Sequence, residues 1–251
     1  MVMRLADQLH EWTAEFRSRH GLDVRKLYGE WEQAHLRRLV RHFDVDCIFD
    51  VGANFGQYAQ MIRHEVSFDG LLISFEPNPV AAAALRKKAR GQSNWLIEEV
   101  AIGPTDGTAT FNIMHDSEFS SLSTPRHDDV GIFEKKNRVD ETVEVRTENL
   151  ATTLERLRSQ HGFQRPFLKL DTQGFDVQIV TSAPEAVRQF IGLQSELAVK
   201  RIYADSVDFR EAISAYEDCG FQLSAFVPNN DGHFPHLVEM DCIMVRDDLV
   251  S

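Results

Sequence analysis

Two acidic residues, each at the end of a short apolar run and each followed by turn-forming residues, carry the first sign of chemistry in this chain. Asp50 lies in Cys47-Ile-Phe-Asp-Val-Gly-Ala-Asn-Phe-Gly56, and Glu76 in Leu71-Leu-Ile-Ser-Phe-Glu-Pro-Asn-Pro79. Glycines in the turn after a buried strand let the backbone approach a ligand closely. The helix that follows offers unpaired N–H groups at its start. Asp50 stands where a dinucleotide pyrophosphate would otherwise come close, so the turn suits a cationic ligand better than a diphosphate. Glu76 follows Gly56 by 20 positions. At that spacing an acid ending the second strand of a βαβ unit accepts both hydrogen bonds of a ribose diol. A third polar strand end, Pro166-Phe-Leu-Lys-Leu-Asp-Thr-Gln-Gly174, places Asp171 where ligands bind in an open parallel sheet. Lys169 alternates with Leu168 and Leu170 and so shares a face with Asp171, where it can pair with a carboxylate or position an oxygen. Glu196 closes the apolar run Ile191–Leu197 and is expected to face the same crevice.

These groups need a frame to hold them. From residue 46 onward, short apolar runs alternate with longer amphipathic stretches, the signature of βαβ units and a parallel sheet. The pattern predicts strands at Cys47–Val51, Gly70–Phe75, Trp95–Ala101, Ala109–Ile113, Val143–Arg146, Phe167–Leu170, Ile191–Leu197, Gln222–Phe226 and Asp241–Val245. It predicts helices at Tyr58–Glu65, Pro79–Ala89, Leu150–His161, Asp176–Ser182 and Ser206–Cys219. The last two strands, joined by a loop without helical periodicity, are expected to be antiparallel. Gly174 provides a turn, and Asp176 is expected to cap the next helix. Ahead of this frame, residues 1–45 read as a helical extension. Its first stripe is Leu5, Leu9, Trp12 and Phe16, its second Leu27, Trp31, Leu36, Leu39, Val40 and Phe43. It is expected to pack on the sheet. Residues 46–251 form the main domain, and the polar stretch 114–140 reads as a functional loop.

The run from Phe49 to Tyr58, followed by Ser74-Phe-Glu-Pro-Asn-Pro79, resembles the FkbM family of S-adenosylmethionine-dependent O-methyltransferases. The likeness continues through Val100-Ala-Ile-Gly with Asp106-Gly107, Ser120-Ser-Leu122, Phe167–Gly174 and Ser195-Glu-Leu197, and ends near Met240-Asp241. It implies a Rossmann-like class I methyltransferase fold, mostly parallel with an antiparallel last strand, and S-adenosylmethionine as cofactor. Asp50, Gly52, Ala53, Asn54 and Gly56 would surround the methionine part, and Glu76 the ribose. Pro77, Asn78 and the strand end Glu99, Val100 and Ala101 would border the adenine. Asp171 would lie near the transferable methyl group, as first choice of base for an acceptor hydroxyl, with Glu196 second and Lys169 assisting. The family pattern often has Glu where Gln173 stands, and an amide cannot act as a base. The acceptor would be a sugar, glycolipid or secondary metabolite. Phe119, Tyr203, Phe234 and His236 would be available to stack on it, while His115, His233 and His236 are further candidate bases.

Composition narrows the partners. The net charge is -12, which repels polyanions and argues against nucleic acid despite the run Arg86-Lys87-Lys88-Ala-Arg90. That run reads as a solvated helix face. Cys47, Cys219 and Cys242 have no metal-ligand spacing and read as free thiols in a reducing compartment, the cytoplasm. No apolar run is long enough for a membrane span. Asp171 and Glu196 lack a third ligand at recognisable spacing, so no metal is expected. The oligomeric state is left open. A nicotinamide-dependent oxidoreductase is the competing enzyme, but its usual G-x-G-x-x-G turn is absent. A catalytically silent cofactor-binding protein is the other alternative.

Overall fold

The computed structural model describes residues 24–125, 138–201, 203–228 and 237–250. The first helical stripe, residues 126–137 of the expected loop, and His233, Phe234 and His236 lie outside the described residues.

Strands β1 (Cys47–Val51), β2 (Leu71–Phe75), β3 (Trp95–Glu98), β7 (Pro166–Leu170), β8 (Gly192–Ala198), β9 (Phe221–Pro228) and β10 (Glu239–Arg246) form one seven-stranded sheet. Their order is β3-β2-β1-β7-β8-β10-β9. β1 pairs in parallel with β2 and β7, and β7 with β8, whereas β10 runs antiparallel between β8 and β9. The order reverses beside β1, at the switch point between β1 and β7, where open α/β sheets bind ligands beyond their carboxyl ends. The all-buried sequences of β1 and β7 explain their central place, since strands covered on both faces read as continuous apolar runs.

Helices cover both faces. Helix α4 (Leu150–His161) and α5 (Asp176–Ser182) bury Leu154, Leu157 and Ile179 against Phe49, Val51, Leu168 and Leu170. On the other face α1 (Val24–His42), α2 (Gln57–His64) and α3 (Pro79–Lys88) bury Leu36, Leu39, Ile62 and Leu85 against Ile48, Leu72, Phe167 and Ile243. Of the expected helical extension, the described helix α1 packs on the sheet. Trp31 departs from its expected stripe: it is half exposed and stacks on His35. Asn78 and Asn149 cap α3 and α4 by accepting from the backbone N–H two residues on. The basic run at the end of α3 lies on the surface, with Arg86 paired to Glu99 at 2.6 Å. All three cysteines are free and buried.

Several expectations need correction. Trp95–Ala101 is not one strand. The chain leaves the main sheet after Glu98, buries Val100, and resumes as β4 (Ala101–Gly103) in a second sheet of order β4-β6-β5. β5 (Gly107–Met114) and β6 (Val139–Asn149) are longer than expected and pair with each other there, because their exposed threonines and glutamates suit a surface ribbon. The helix expected from Ser206 starts at Phe209 as α7 (Phe209–Asp218), where Asp208 caps it. A short helix, α6 (Pro184–Val187), was not foreseen. Asp176 is the first residue of α5 rather than its cap, and its carboxylate accepts from Thr172 N–H at 2.9 Å and from Ser195 Oγ at 2.8 Å.

Candidate active site

A cavity of about 580 Å³ opens over the carboxyl ends of β1, β2, β7 and β8. Gly52 forms its closest approach. With φ +77°, an added Cβ would stand 1.9 Å from the backbone oxygen of Asp171, so the turn exists only with glycine there. Asn54 also takes positive φ, +46°. That conformation turns its N–H onto Glu76 Oε2 at 2.7 Å, while Asn78 N–H donates to Oε1 at 2.8 Å. Glu76 is thereby fixed on the cavity wall. Burial raises its pKa to about 7, against the pull of those two N–H groups. Each oxygen keeps a free lone pair, as a ribose diol requires.

Beneath the cavity, a polar row crosses four strands of the sheet. Ser74, Asp50, Lys169 and Gln194 are direct register partners on β2, β1, β7 and β8. Trp95 Nε1 donates to Ser74 Oγ at 3.0 Å, and Ser74 Oγ to Asp50 Oδ2 at 3.0 Å. Lys169 Nζ lies 3.3 Å from Asp50 Oδ1 and 3.4 Å from Asp171 Oδ2, and donates to Gly52 O at 3.2 Å. It also sits over the Tyr58 ring. Burial opposes its charge, but Asp171 and Asp50 outweigh burial and hold its pKa above the ordinary lysine value. Burial holds Asp50 above the usual carboxylate range, partly offset by Lys169.

The structure thus sorts the expected residues. Gly52, Ala53, Asn54, Glu76, Pro77, Asn78, Val100, Ala101, Lys169, Asp171 and Glu196 all line the cavity. Asp50 does not: it is fully buried below the turn and reaches the wall only through Lys169. Gly56, at φ +86°, faces away from the cavity, and an added Cβ there would stand 2.8 Å from the Leu85 side chain and 3.5 Å from that of Trp95. Glu99 points outward to Arg86, because its strand ends one residue earlier. His115 is on the surface with Asp140. Phe119 lines the cavity, whereas Tyr203 stands behind Gln173.

Sequence reasoning missed the far wall. Glu32 of α1, Tyr58, Gln194, Glu239 and Asp241 also line the cavity. Gln194 Nε2 donates to Glu32 at 2.7 Å and to Asp241 at 2.9 Å, tying the helical extension to the sheet. Burial raises Glu239 to about 7 and Asp241 to about 8, with repulsion from Asp171 at Glu239 and from Glu32 at Asp241 adding to it. The available signal in the strands was Gln194 within β8 and Glu239 and Asp241 at the start of β10, acidic or amide residues in otherwise apolar runs. Among the described residues of the wall, Lys169 is the one basic side chain, and no group of three or more His, Cys, Asp or Glu is arranged to hold a metal ion.

The sheet order, the glycine turn at its switch point and the acid ending β2 together define a Rossmann-like class I methyltransferase fold. The family model described as the methyltransferase FkbM domain matches residues 50–223. The chain belongs to that family and is an S-adenosylmethionine-dependent methyltransferase. A comparison with curated proteins finds no match. Similar solved structures include fibrillarin from Aeropyrum pernix with natively bound S-adenosyl-L-methionine, at 12% identity and TM-score 0.43, covering 80% of this chain and 66% of that one. Magnesium protoporphyrin IX methyltransferase from Synechocystis PCC 6803 is 10% identical with TM-score 0.47, covering 88% and 80%. A methyltransferase from Thermobifida fusca, described as putative in its own structure, is 9% identical with TM-score 0.49, covering 88% and 79%.

The residues present fit the cofactor. Glu76 presents two fixed oxygens, and the carboxylate-rich wall suits a ligand bearing a sulfonium and an ammonium. No described helix is long and apolar enough to cross a membrane.

Proposed function

We propose that this chain transfers the methyl group of S-adenosylmethionine to a hydroxyl oxygen of a sugar, a glycolipid or a secondary metabolite. The observation that carries the reading is that Asp171 and Glu196 share one cavity wall with the Glu76 cradle. When bound, the cofactor supplies an activated methyl group. Glu76 would hold its ribose, Gly52, Ala53 and Asn54 its methionine part, and Pro77, Asn78, Val100 and Ala101 its adenine. A hydroxyl oxygen must meet that methyl in line and lose its proton. Asp171, at the end of β7, is our choice to receive the proton, with Glu196 as the second carboxylate. Lys169 keeps Asp171 oriented through their 3.4 Å contact.

The acidic wall and the net charge of -12 favour an uncharged or cationic acceptor over nucleic acid. The three free thiols fit a cytoplasmic setting. The test is calorimetric titration with S-adenosylmethionine, NAD and NADP, repeated on Glu76→Ala. Micromolar binding of S-adenosylmethionine alone, weakened about tenfold or more in the variant, supports the assignment of the cradle. A screen of hydroxylated acceptors with methyl-labelled cofactor then tests O-methylation. Label appearing only on nitrogen acceptors would refute the hydroxyl reading.

A further inference from the structure

Gln173 is unexplained by the transfer chemistry, yet the chain takes on backbone strain to place it. It lies in the turn between β7 and α5 at φ +55°, a left-handed conformation unfavourable for a residue with a side chain. Ser121 Oγ donates to its backbone oxygen at 2.8 Å and fixes the turn. The side chain then does three things. Nε2 donates to Asp171 Oδ1 at 2.8 Å and to Glu196 Oε2 at 2.7 Å, and Oε1 accepts from the Tyr203 hydroxyl at 2.8 Å. The opposite amide orientation would aim an oxygen at two carboxylates, so the neighbours admit one orientation. Tyr203 is held in turn by Gly174, where a Cβ would come within 3.0 Å of the tyrosine Cβ.

Asp171 and Glu196 belong to different strands, and each presents a carboxyl oxygen to the same amide. Among the described residues, Lys169 on β7, Asp176 on α5, and Glu239 and Asp241 on β10 stand around them. Burial and then the neighbouring acids hold the Glu196 carboxyl far above the ordinary range. A glutamate at 173 would add a third acceptor between them, whereas the amide supplies a donor to each.

We infer that Gln173 is a positioning residue whose amide clamps Asp171 and Glu196 into a two-carboxylate jaw aimed at the point of methyl transfer. This rests on the methyltransferase reading of the cavity. The jaw sets where the acceptor group sits and favours positive charge at that point. Asp171 and Glu196 do the chemistry, and Gln173 holds them in register across the two strands.

Two cofactor analogues test this without knowledge of the acceptor. Sinefungin carries an amine where the cofactor carries its transferable methyl, and S-adenosylhomocysteine carries nothing there. Calorimetry on wild type, Gln173→Leu and Gln173→Gly gives the ratio of the two affinities. The glycine variant relieves the φ +55° strain while deleting the amide, so it remains informative if the leucine variant folds poorly. Wild type should prefer sinefungin. Both variants should lose about tenfold of that preference, the effect of one charge-assisted hydrogen bond, with S-adenosylhomocysteine affinity within about twofold of wild type. Equal losses for both ligands, leaving the ratio intact, would make Gln173 a structural strut and overturn the inference. An unchanged ratio with unchanged affinities would overturn it as well. If folded wild type binds neither analogue, the cofactor reading itself fails, and this inference with it.

Discussion

Gly52→Ala is the sharpest single perturbation the geometry offers. The new methyl group would stand 1.9 Å from the backbone oxygen of Asp171 and 2.8 Å from its carbonyl carbon. Both atoms belong to the main chain, so no side-chain rotation relieves the overlap. To restore contact distance, the end of β7 must retreat from β1 by more than an ångström. That breaks the bond from Asp171 N–H to Val51 O, now 3.1 Å, and disturbs the bonds from Gly52 and Ala53 N–H to Phe75 O. The left-handed backbone costs a non-glycine residue about 1–2 kcal/mol. A lost buried hydrogen bond costs about 1 kcal/mol more. Together they give roughly 3 kcal/mol, or a fall in Tm of about 6–12 °C for a chain of this size. Denaturant unfolding should show a lower midpoint with unchanged slope. Calorimetry should show S-adenosylmethionine affinity reduced, because the altered residue is on the cavity wall. A variant within about 0.5 kcal/mol of wild type, the range of an ordinary surface substitution, would refute the claim that this turn requires glycine.

Other outcomes follow from the polar row and the far wall. Lys169→Met leaves Asp50 buried without its counter-charge and should cost about 3–5 kcal/mol near neutral pH. Because burial already holds Asp50 above its unfolded value, the deficit should grow as pH rises, and equal losses at pH about 5 and about 8 would contradict the pairing. Ser74→Ala removes the proton donated to Asp50 and should cost about 1–3 kcal/mol. Combined with Trp95→Phe the losses should be less than additive, since both act through one chain of bonds. Glu239 and Asp241 are raised in the folded state, to about 7 and about 8. Such groups bind protons more tightly folded than unfolded, so their contribution is full below the unfolded carboxylate values and is lost as pH rises through about 7 and then about 8. Urea unfolding across that window should flatten in Glu239→Gln and Asp241→Asn, and an unchanged profile would remove these two groups as its cause.

The sequence by itself determined the local chemistry of this protein. Apolar period and length separate the strands from the helices. The spacing of Asp50, Gly52, Gly56 and Glu76 marks a ligand turn, because turn geometry and strand length depend only on nearby residues. The antiparallel last pair was legible from a loop too poor in helical pattern for a crossover. Tertiary structure decided what depends on register. Asp50 reads as a ligand contact along its own strand, yet pairing with β2 and β7 sinks it beneath the turn and gives it to Ser74 and Lys169. Trp95–Ala101 reads as one strand, yet a second sheet captures its end. Gln173, Glu196 and Tyr203 are each visible in the sequence but lie far apart along it, and adjacent strands and a strained turn join them. Glu32 meets Gln194 and Asp241 only because α1 lies across the sheet. Spacing along the chain sets which groups share a face. Which faces meet is set by the pairing of whole strands and the packing of helices on them, and no local pattern contains that information.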